Sequence, residues 1–273
     1  MPSPTTRPVR EPILNLPAVI ALSVAALAGI HALRLLLSED ADFTLIIDWA
    51  FIPARWSVAF GSVQPDQIID ALQGGGGTEE GLSPLAALAQ YILRDGEARP
   101  WTGLTYAVLH GSWAHVIINC VWLAAFGTPL VRRVGPMRFF ALAAASTLGG
   151  AVLYAVMNPW QILPMIGASA AVSGMMAAAS WFMFAPADWL PEGRLTEPHE
   201  RLREGPADMA RNRQVLIFLG VWFAANYVFA FVQPPGVTDA SIAWEAHIGG
   251  FLIGLGLFPL IDPLPRRPRR IAA

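Results

Sequence analysis

Four side chains in this sequence have the types and spacing that acyl-transfer chemistry needs. Ser169 carries a hydroxyl, His247 an imidazole, and His115 and Asn119 stand four residues apart. A serine hydroxyl is a weak nucleophile until a neighbouring base takes its proton. Neutral imidazole, with an unperturbed pKa of about 6.5, suits that role near neutral pH. The tetrahedral intermediate that follows needs hydrogen-bond donors aimed at its oxyanion. The Asn119 amide, a His115 ring N–H and the Ser169 backbone N–H are the candidates, since positions i and i+4 share one helical face. Glu245 is the only acid in the apolar segments that carry these groups. It lies two residues from His247, about 200° around a helix, and faces elsewhere. The arrangement therefore reads as a Ser169–His247 dyad.

The elements that must hold these groups are apolar. Of 273 residues, 55% are hydrophobic and 14% charged, against about 45–50% and about 25% in soluble domains. That excludes a disordered protein, a basic nucleic-acid binder and an ordinary cytosolic enzyme. A single Cys120 allows neither an internal disulfide nor a cysteine metal cluster. A bilayer core takes roughly 20 apolar residues per helix. Six stretches meet that demand: Ile13–Leu37, Trp113–Val131, Met137–Met157, Met165–Ala185, Val215–Val232 and Ile242–Ile261. The first reads as a retained helix. Ala26-Leu27-Ala28 resembles a signal-peptidase site, but the apolar run continues through Leu37, longer than a usual signal core.

Six spans put both termini on one side, and arginine sets which side. All 18 basic residues are arginine. Fourteen of them fall in the N-terminal segment, the second-to-third loop, the fourth-to-fifth connector and the C-terminal tail. The opposite side holds Arg55, Arg94 and Arg99, and Arg34 sits inside the end of the first span. The positive-inside rule then places both termini in the cytoplasm. The expected organisation is a cytoplasmic tail over residues 1–12, an all-α six-helix membrane domain over 13–262, and an Arg-rich cytoplasmic tail over 263–273. The domain includes a long external loop over 38–100 and a solvated cytoplasmic connector over 186–213. In the external loop, Phe43–Phe51 and Leu85–Leu93 suit short interfacial helices. Trp49, Trp56 and Trp101 fit an aromatic belt. Gly74–Gly77 reads as a flexible loop tip, lacking the strand and lysine of a phosphate loop.

Depth decides which groups meet. Spans two, four and six all start on the outer side, so His115, Asn119, Ser169 and His247 lie within about 10 Å of that entry. His247, Gly250 and Gly254 share one face, a Gly-x-x-x-Gly pattern that lets helix backbones approach closely. Ser169, Ala170, Ser173 and Ala177 form a second small-residue face. Packing the two brings the hydroxyl to the ring. A lone serine in a membrane helix ordinarily bonds back to a carbonyl one turn earlier, as expected of Ser173 and Ser180. Co-location of four polar groups at one depth is what marks the site. No metalloprotease His-Glu-x-x-His motif is present and no span interior carries two aspartates, so neither a metal nor an aspartyl mechanism is expected.

These residues resemble the rhomboid family of intramembrane serine proteases. Gly167-Ala168-Ser169-Ala170 is similar to its Gly-x-Ser-Gly motif. The run His110-Gly-Ser-Trp-Ala-His115-Val-Ile-Ile-Asn119 is similar to its second-span signature. Ala246-His247-Ile-Gly-Gly250, continuing to Gly254, is similar to its general-base helix. The resemblance covers roughly Trp101 to Ile261. It implies a six-helix rhomboid-like bundle with Ser169 as nucleophile, His247 as general base, and His115, Asn119 and the Ser169 N–H as the oxyanion hole. Gly167, Gly250 and Gly254 would pack near the site. It further implies cofactor-free cleavage of transmembrane protein substrates near the outer surface of a lipid bilayer, here a bacterial-type inner membrane, with no nucleic-acid partner. Span five and the Pro234-Pro235-Gly236 loop would gate substrate entry. Four positions depart from the family pattern: Ala170 for glycine, Ser173 for an aromatic beside the base, Thr102 for arginine after Trp101, and Val131 for glutamate. The alternative is a silent relative that binds membrane helices without cutting them. Such relatives lose the serine or the histidine, and this chain keeps both. The glycine seams by themselves define no oligomeric state.

Overall fold

The computed structural model describes residues 15–73, 82–231 and 243–266, and these are all-helical apart from loops and isolated bridges. The expectations for Arg7, Arg10, Gly74–Gly77, Pro234-Pro235-Gly236 and the tail arginines beyond Arg266 fall outside the described residues. Helix α1 spans Ala18–Arg34. Four short helices follow: α2 Glu39–Trp49, α3 Pro53–Ala59, α4 Pro65–Gln73 and α5 Pro84–Leu93. Their starts are written locally. Ser38 and Ser83 accept backbone N–H groups as N-caps, and Pro53, Pro65 and Pro84 open their helices, where a missing N–H costs nothing.

Helix α6 (Trp113–Trp122) is capped by Ser112, whose hydroxyl accepts the His115 N–H. It continues through a π-helical turn at Leu123–Gly127 into α7 (Thr128–Met157). Gly135, with φ +77° and followed by Pro136, breaks α7 near its start. The chain reverses there. Arg133 pairs with Asp262 at one end of the molecule, whereas Asn158 reaches Glu245 at the other. Helix α8 spans Ser169–Ser180, α9 Arg213–Phe231 and α10 Trp244–Ile261.

Among the described residues each expected apolar span contains helix, but two helical stretches are long and apolar enough to cross a bilayer by themselves, Trp113–Met157 and Trp244–Ile261. The other three helices at span positions, α1, α8 and α9, fall short on that test. Span four shows why. Residues before Ser169 are apolar, yet Met165 pairs in extended form with Phe51, and Gly167 adopts φ +123°. Helix therefore starts at Ser169 itself, not a turn earlier.

Helices α7, α8 and α10 form the centre, in direct backbone contact. A Cβ on Gly249 would lie 2.4 Å from the Gly149 carbonyl oxygen, one on Gly250 2.1 Å from that of Ala170, and one on Gly254 2.0 Å from that of Gly174. The short helices of the first loop pack on one another. Ile47, Ile52, Ala54, Ile68, Ala89 and Ile92 build a core of their own. Arg55 and Arg99, counted from the sequence as loop charges, are structural. The buried Arg55 guanidinium donates to the carbonyls of Ile47 and Ile92, and Arg99 bridges Asp48 and Asp95. Trp56 packs on Phe51 and Phe60 instead of joining a belt, while Trp49 and Trp101 are exposed.

The connector between α8 and α9 is docked, not merely solvated. Arg201 donates to the carbonyls of Met183 and Ala185, and Asn212 to that of Phe184. Beneath it lies an ion pair with both side chains fully buried, Arg133 to Asp262, forked at 2.8 and 2.9 Å. Arg203 joins Asp262 at 3.1 Å, and the Arg133 plane lies 4.5 Å from the Phe182 ring centre. Removing one partner of such a pair strands a buried charge, at a cost of about 3–5 kcal/mol. Arg133→Met, which leaves Asp262 with Arg203 alone, is therefore expected to lower the thermal midpoint in detergent, and Asp262→Leu, which strands both Arg133 and Arg203, to lower it further. An unchanged midpoint in either variant would count against the pair as a fold anchor.

Candidate active site

The loop that ends in Ser169 is clamped on two sides. Phe51 and Met165 exchange backbone hydrogen bonds at 3.1 and 2.8 Å, and Gln161 accepts the Ala54 N–H at 3.0 Å. From the other side, the Tyr106 carbonyl accepts the Gly167 N–H at 2.9 Å, and the Tyr106 hydroxyl is anchored on the Thr147 carbonyl at 2.9 Å. Ser169 then opens α8, so its N–H belongs to the first turn, whose donors have no acceptor within the helix and carry the positive end of the helix dipole.

His247, in the first turn of α10, faces this point. The Ser169 hydroxyl and His247 Nε2 are 2.8 Å apart. The two side chains expected from the sequence to meet are thus in contact. Gly250 and Gly254 lie on the contact between α8 and α10, as expected, and Gly167 has a sharper duty. A Cβ there would stand 2.7 Å from His115 Nε2 and 3.8 Å from Ser169 Oγ. The bare face of Gly167 is thus bordered by both groups, and its positive φ suits glycine alone.

His115 is partly exposed beside this face, with its ring edge-on to that of His110 at 4.9 Å. Asn119 is buried and one of its amide N–H bonds runs to the His115 carbonyl at 3.0 Å, leaving the amide a second donor. His110 is fully buried; burial first, and the His115 ring second, push its pKa down to about 3. Its carbonyl accepts from Arg34 at 2.8 Å, and that guanidinium forks onto Asp42. Arg34 therefore ties α1 and α2 to the start of α6 across a long stretch of sequence.

One site residue was missed. Asn226 on α9 places Oδ1 2.5 Å from His247 Nδ1, while its Nδ2 donates to the Trp222 carbonyl at 2.9 Å. The dyad expected from sequence has a third polar neighbour. Glu245 indeed faces away, taking a hydrogen bond from Asn158 at 3.0 Å.

A family model for the rhomboid domain matches residues 97–261. The chain belongs to the rhomboid family. Among curated relatives, the rhomboid protease GlpG of Serratia proteamaculans (strain 568) is 26% identical over 156 residues, covering 57% of this chain and 46% of that relative. Those of Yersinia pestis (strain Pestoides F) and Yersinia pseudotuberculosis serotype O:3 (strain YPIII) are 24% identical over the same length and shares. The chain spans about half the length of these relatives. The rhomboid match takes in every residue named above from His110 to His247 and leaves α1 to α5 outside it.

Three of the four departures from the rhomboid pattern have local explanations, and nothing in the structure explains Ser173. The Ala170 methyl is accommodated because it meets Gly150, where a Cβ would come within 2.6 Å of it. Thr102 bonds the Arg99 carbonyl at 2.7 Å and accepts from Trp56 at 3.3 Å, so the first loop is held without an arginine there. Val131 is buried in the main core, and the neighbouring Arg133–Asp262 pair holds that end of the bundle. Ser180 bonds back to the Ala177 carbonyl as expected.

Proposed function

We propose that this chain is an intramembrane serine endopeptidase that cleaves transmembrane protein substrates near the outer membrane surface. Ser169 is the nucleophile and His247 the general base. His115, Asn119 and the Ser169 N–H bind the oxyanion. The observation that carries this reading is the 2.8 Å contact between a hydroxyl at a helix N-terminus and an imidazole on a facing helix. Membership of the rhomboid family supports the class of reaction. The proposed domain runs over residues 13–262 as six spans with both termini in the cytoplasm of a bacterial-type inner membrane. Its lipid-facing surface is supported by exposed Leu22, Val121, Val156, Val221 and Leu260, apolar side chains on five different helices that water would not favour.

Chemically, Ser169 attacks the scissile carbonyl as its proton passes to His247 Nε2. The oxyanion forms against donors set in place beforehand. The imidazolium then protonates the leaving amine, and water reverses the sequence to release the acyl group. An extended backbone must reach the site, so the substrate helix is expected to weaken near the cut. The test uses purified protein in detergent with a generic membrane-helix substrate. Wild type is expected to cleave and Ser169→Ala to show no cleavage above background. Cleavage by both would remove Ser169 as nucleophile. Cleavage by neither, with no labelling of Ser169 by a fluorophosphonate, would favour a silent helix-binding relative.

A further inference from the structure

We infer that Asn226 is a positioning residue for His247, its side-chain carbonyl fixing the ring's tautomer and direction so that Nε2 is free to take the Ser169 proton; this rests on the reading of Ser169 and His247 as nucleophile and base. The geometry sets the amide's orientation. Nδ2 donates to the Trp222 carbonyl at 2.9 Å, one turn back on α9. Turning the amide over would set two acceptors against each other, so Oδ1 must face His247. A carbonyl oxygen only accepts. At 2.5 Å it requires the hydrogen of the neutral ring to sit on Nδ1. Nε2 then holds a lone pair, directed at Ser169 Oγ 2.8 Å away. The opposite tautomer would point an N–H at the hydroxyl and have no means of accepting its proton.

The same oxygen serves when the proton moves. His247 becomes an imidazolium as the Ser169 Oγ–H bond breaks and the Nε2–H bond forms, and the Asn226 carbonyl dipole lies against the charged ring's Nδ1–H. Among the described residues no carboxylate is hydrogen-bonded to the ring, and Glu245, the nearest acid in sequence, is engaged by Asn158. The substitution of Ser173 for an aromatic makes the point sharper: no ring packs on the base from that position, and the ring is held from its Nδ1 edge instead. Asn226 sits on a different helix from the base. Its helix is docked by Trp222 stacking on Phe251, with ring centres 4.7 Å apart, so the tautomer depends on α9 staying in place.

The test uses the full chain in detergent, the membrane-helix substrate and a fluorophosphonate. Asn226→Leu, similar in size but without an acceptor, is expected to lower kcat about tenfold to a hundredfold, with KM little changed, as befits loss of part of a general-base contribution. Labelling of Ser169 should slow in parallel. Asn226→Asp, which keeps an oxygen at the same reach, should recover most of the loss. Nitrogen NMR of labelled histidine should show His247 protonated on Nδ1 in the neutral wild type and a changed tautomer balance in Asn226→Leu. A kcat within about twofold of wild type in Asn226→Leu, with Ser169→Ala inactive, would overturn the role of Asn226 and leave the nucleophile standing. A loss seen only as raised KM and a lowered melting midpoint, with the tautomer unchanged, would also overturn it. Wild-type cleavage that persists in Ser169→Ala would bring down the underlying reading and this inference with it.

Discussion

Replacing His247 with alanine is expected to reduce Ser169-dependent cleavage by about 10⁴-fold to 10⁶-fold, and the Ser169→Ala, His247→Ala double variant to fall no further. In the proposed mechanism the two groups act as one unit. Without the ring, the hydroxyl keeps its proton, because among the described residues its side-chain hydrogen bond is to His247 Nε2, at 2.8 Å, and Glu245 is turned to Asn158. Without the hydroxyl, the ring has no nucleophile to activate. The residual rate belongs to substrate binding and the oxyanion donors, which both single variants retain. The change should fall on kcat, and labelling by a fluorophosphonate should be lost in the histidine variant although Ser169 is present. Labelling of His247→Ala at a rate near wild type would mean that another base activates the serine. Additive losses in the double variant would mean that the two side chains act in separate steps.

The pairing of Ser169 with His247 was legible because it depends on quantities a sequence carries. Alternating helix direction fixes which ends share a depth, and glycine spacing fixes which faces can come close. Asn226 was equally open to this reasoning. It is a polar amide in an apolar helix that the proposed topology runs toward the outer side, and lies five residues before Phe231, so within about 8 Å of that helix end and, in that topology, at the depth of His247. Weighing acids alone as partners for the base passed over it. Other features had no local signal. The connector over 186–213 docks through backbone carbonyls at Met183, Ala185 and Phe184, which every residue type possesses. The core of the first loop joins Ile47 to Ile92 and Ile162, partners far apart in sequence, whereas periodicity reports only on neighbours. Span four was placed too early for a related reason: hydropathy counts Met165 and Ile166 as apolar, but Phe51 claims the Met165 backbone for an extended bridge, and Ser169 is left as the first helical residue.

That placement of Ser169 makes Gly250 the position where a single methyl group does most harm outside the reacting pair. The Cβ of Gly250→Ala would stand 2.1 Å from the Ala170 carbonyl oxygen and 2.7 Å from its carbon. Both are backbone atoms in the first turn of α8, next to Ser169, and no rotamer change relieves the overlap. Helix α10 must move away by an ångström or more, and His247 lies one turn back on the moving helix. Overpacking of this kind costs about 1–3 kcal/mol, and misplacing a reacting group by about 1 Å costs on the order of a hundredfold in rate. Gly250→Ala is therefore expected to lose cleavage by at least about a hundredfold and to melt earlier, with Ser169 and His247 both intact. Gly256 on the same helix is the control, because nothing lies within 4 Å of a Cβ there. Alanine at 256 should leave the rate unchanged and the helix no less stable, since alanine is the better helix former by about 1 kcal/mol. The measurement is cleavage rate against thermal midpoint for the two variants side by side. Full activity in Gly250→Ala would show that α8 and α10 do not need backbone contact to bring the hydroxyl to the ring, and equal losses at 250 and 256 would trace the effect to glycine's flexibility rather than to its missing side chain.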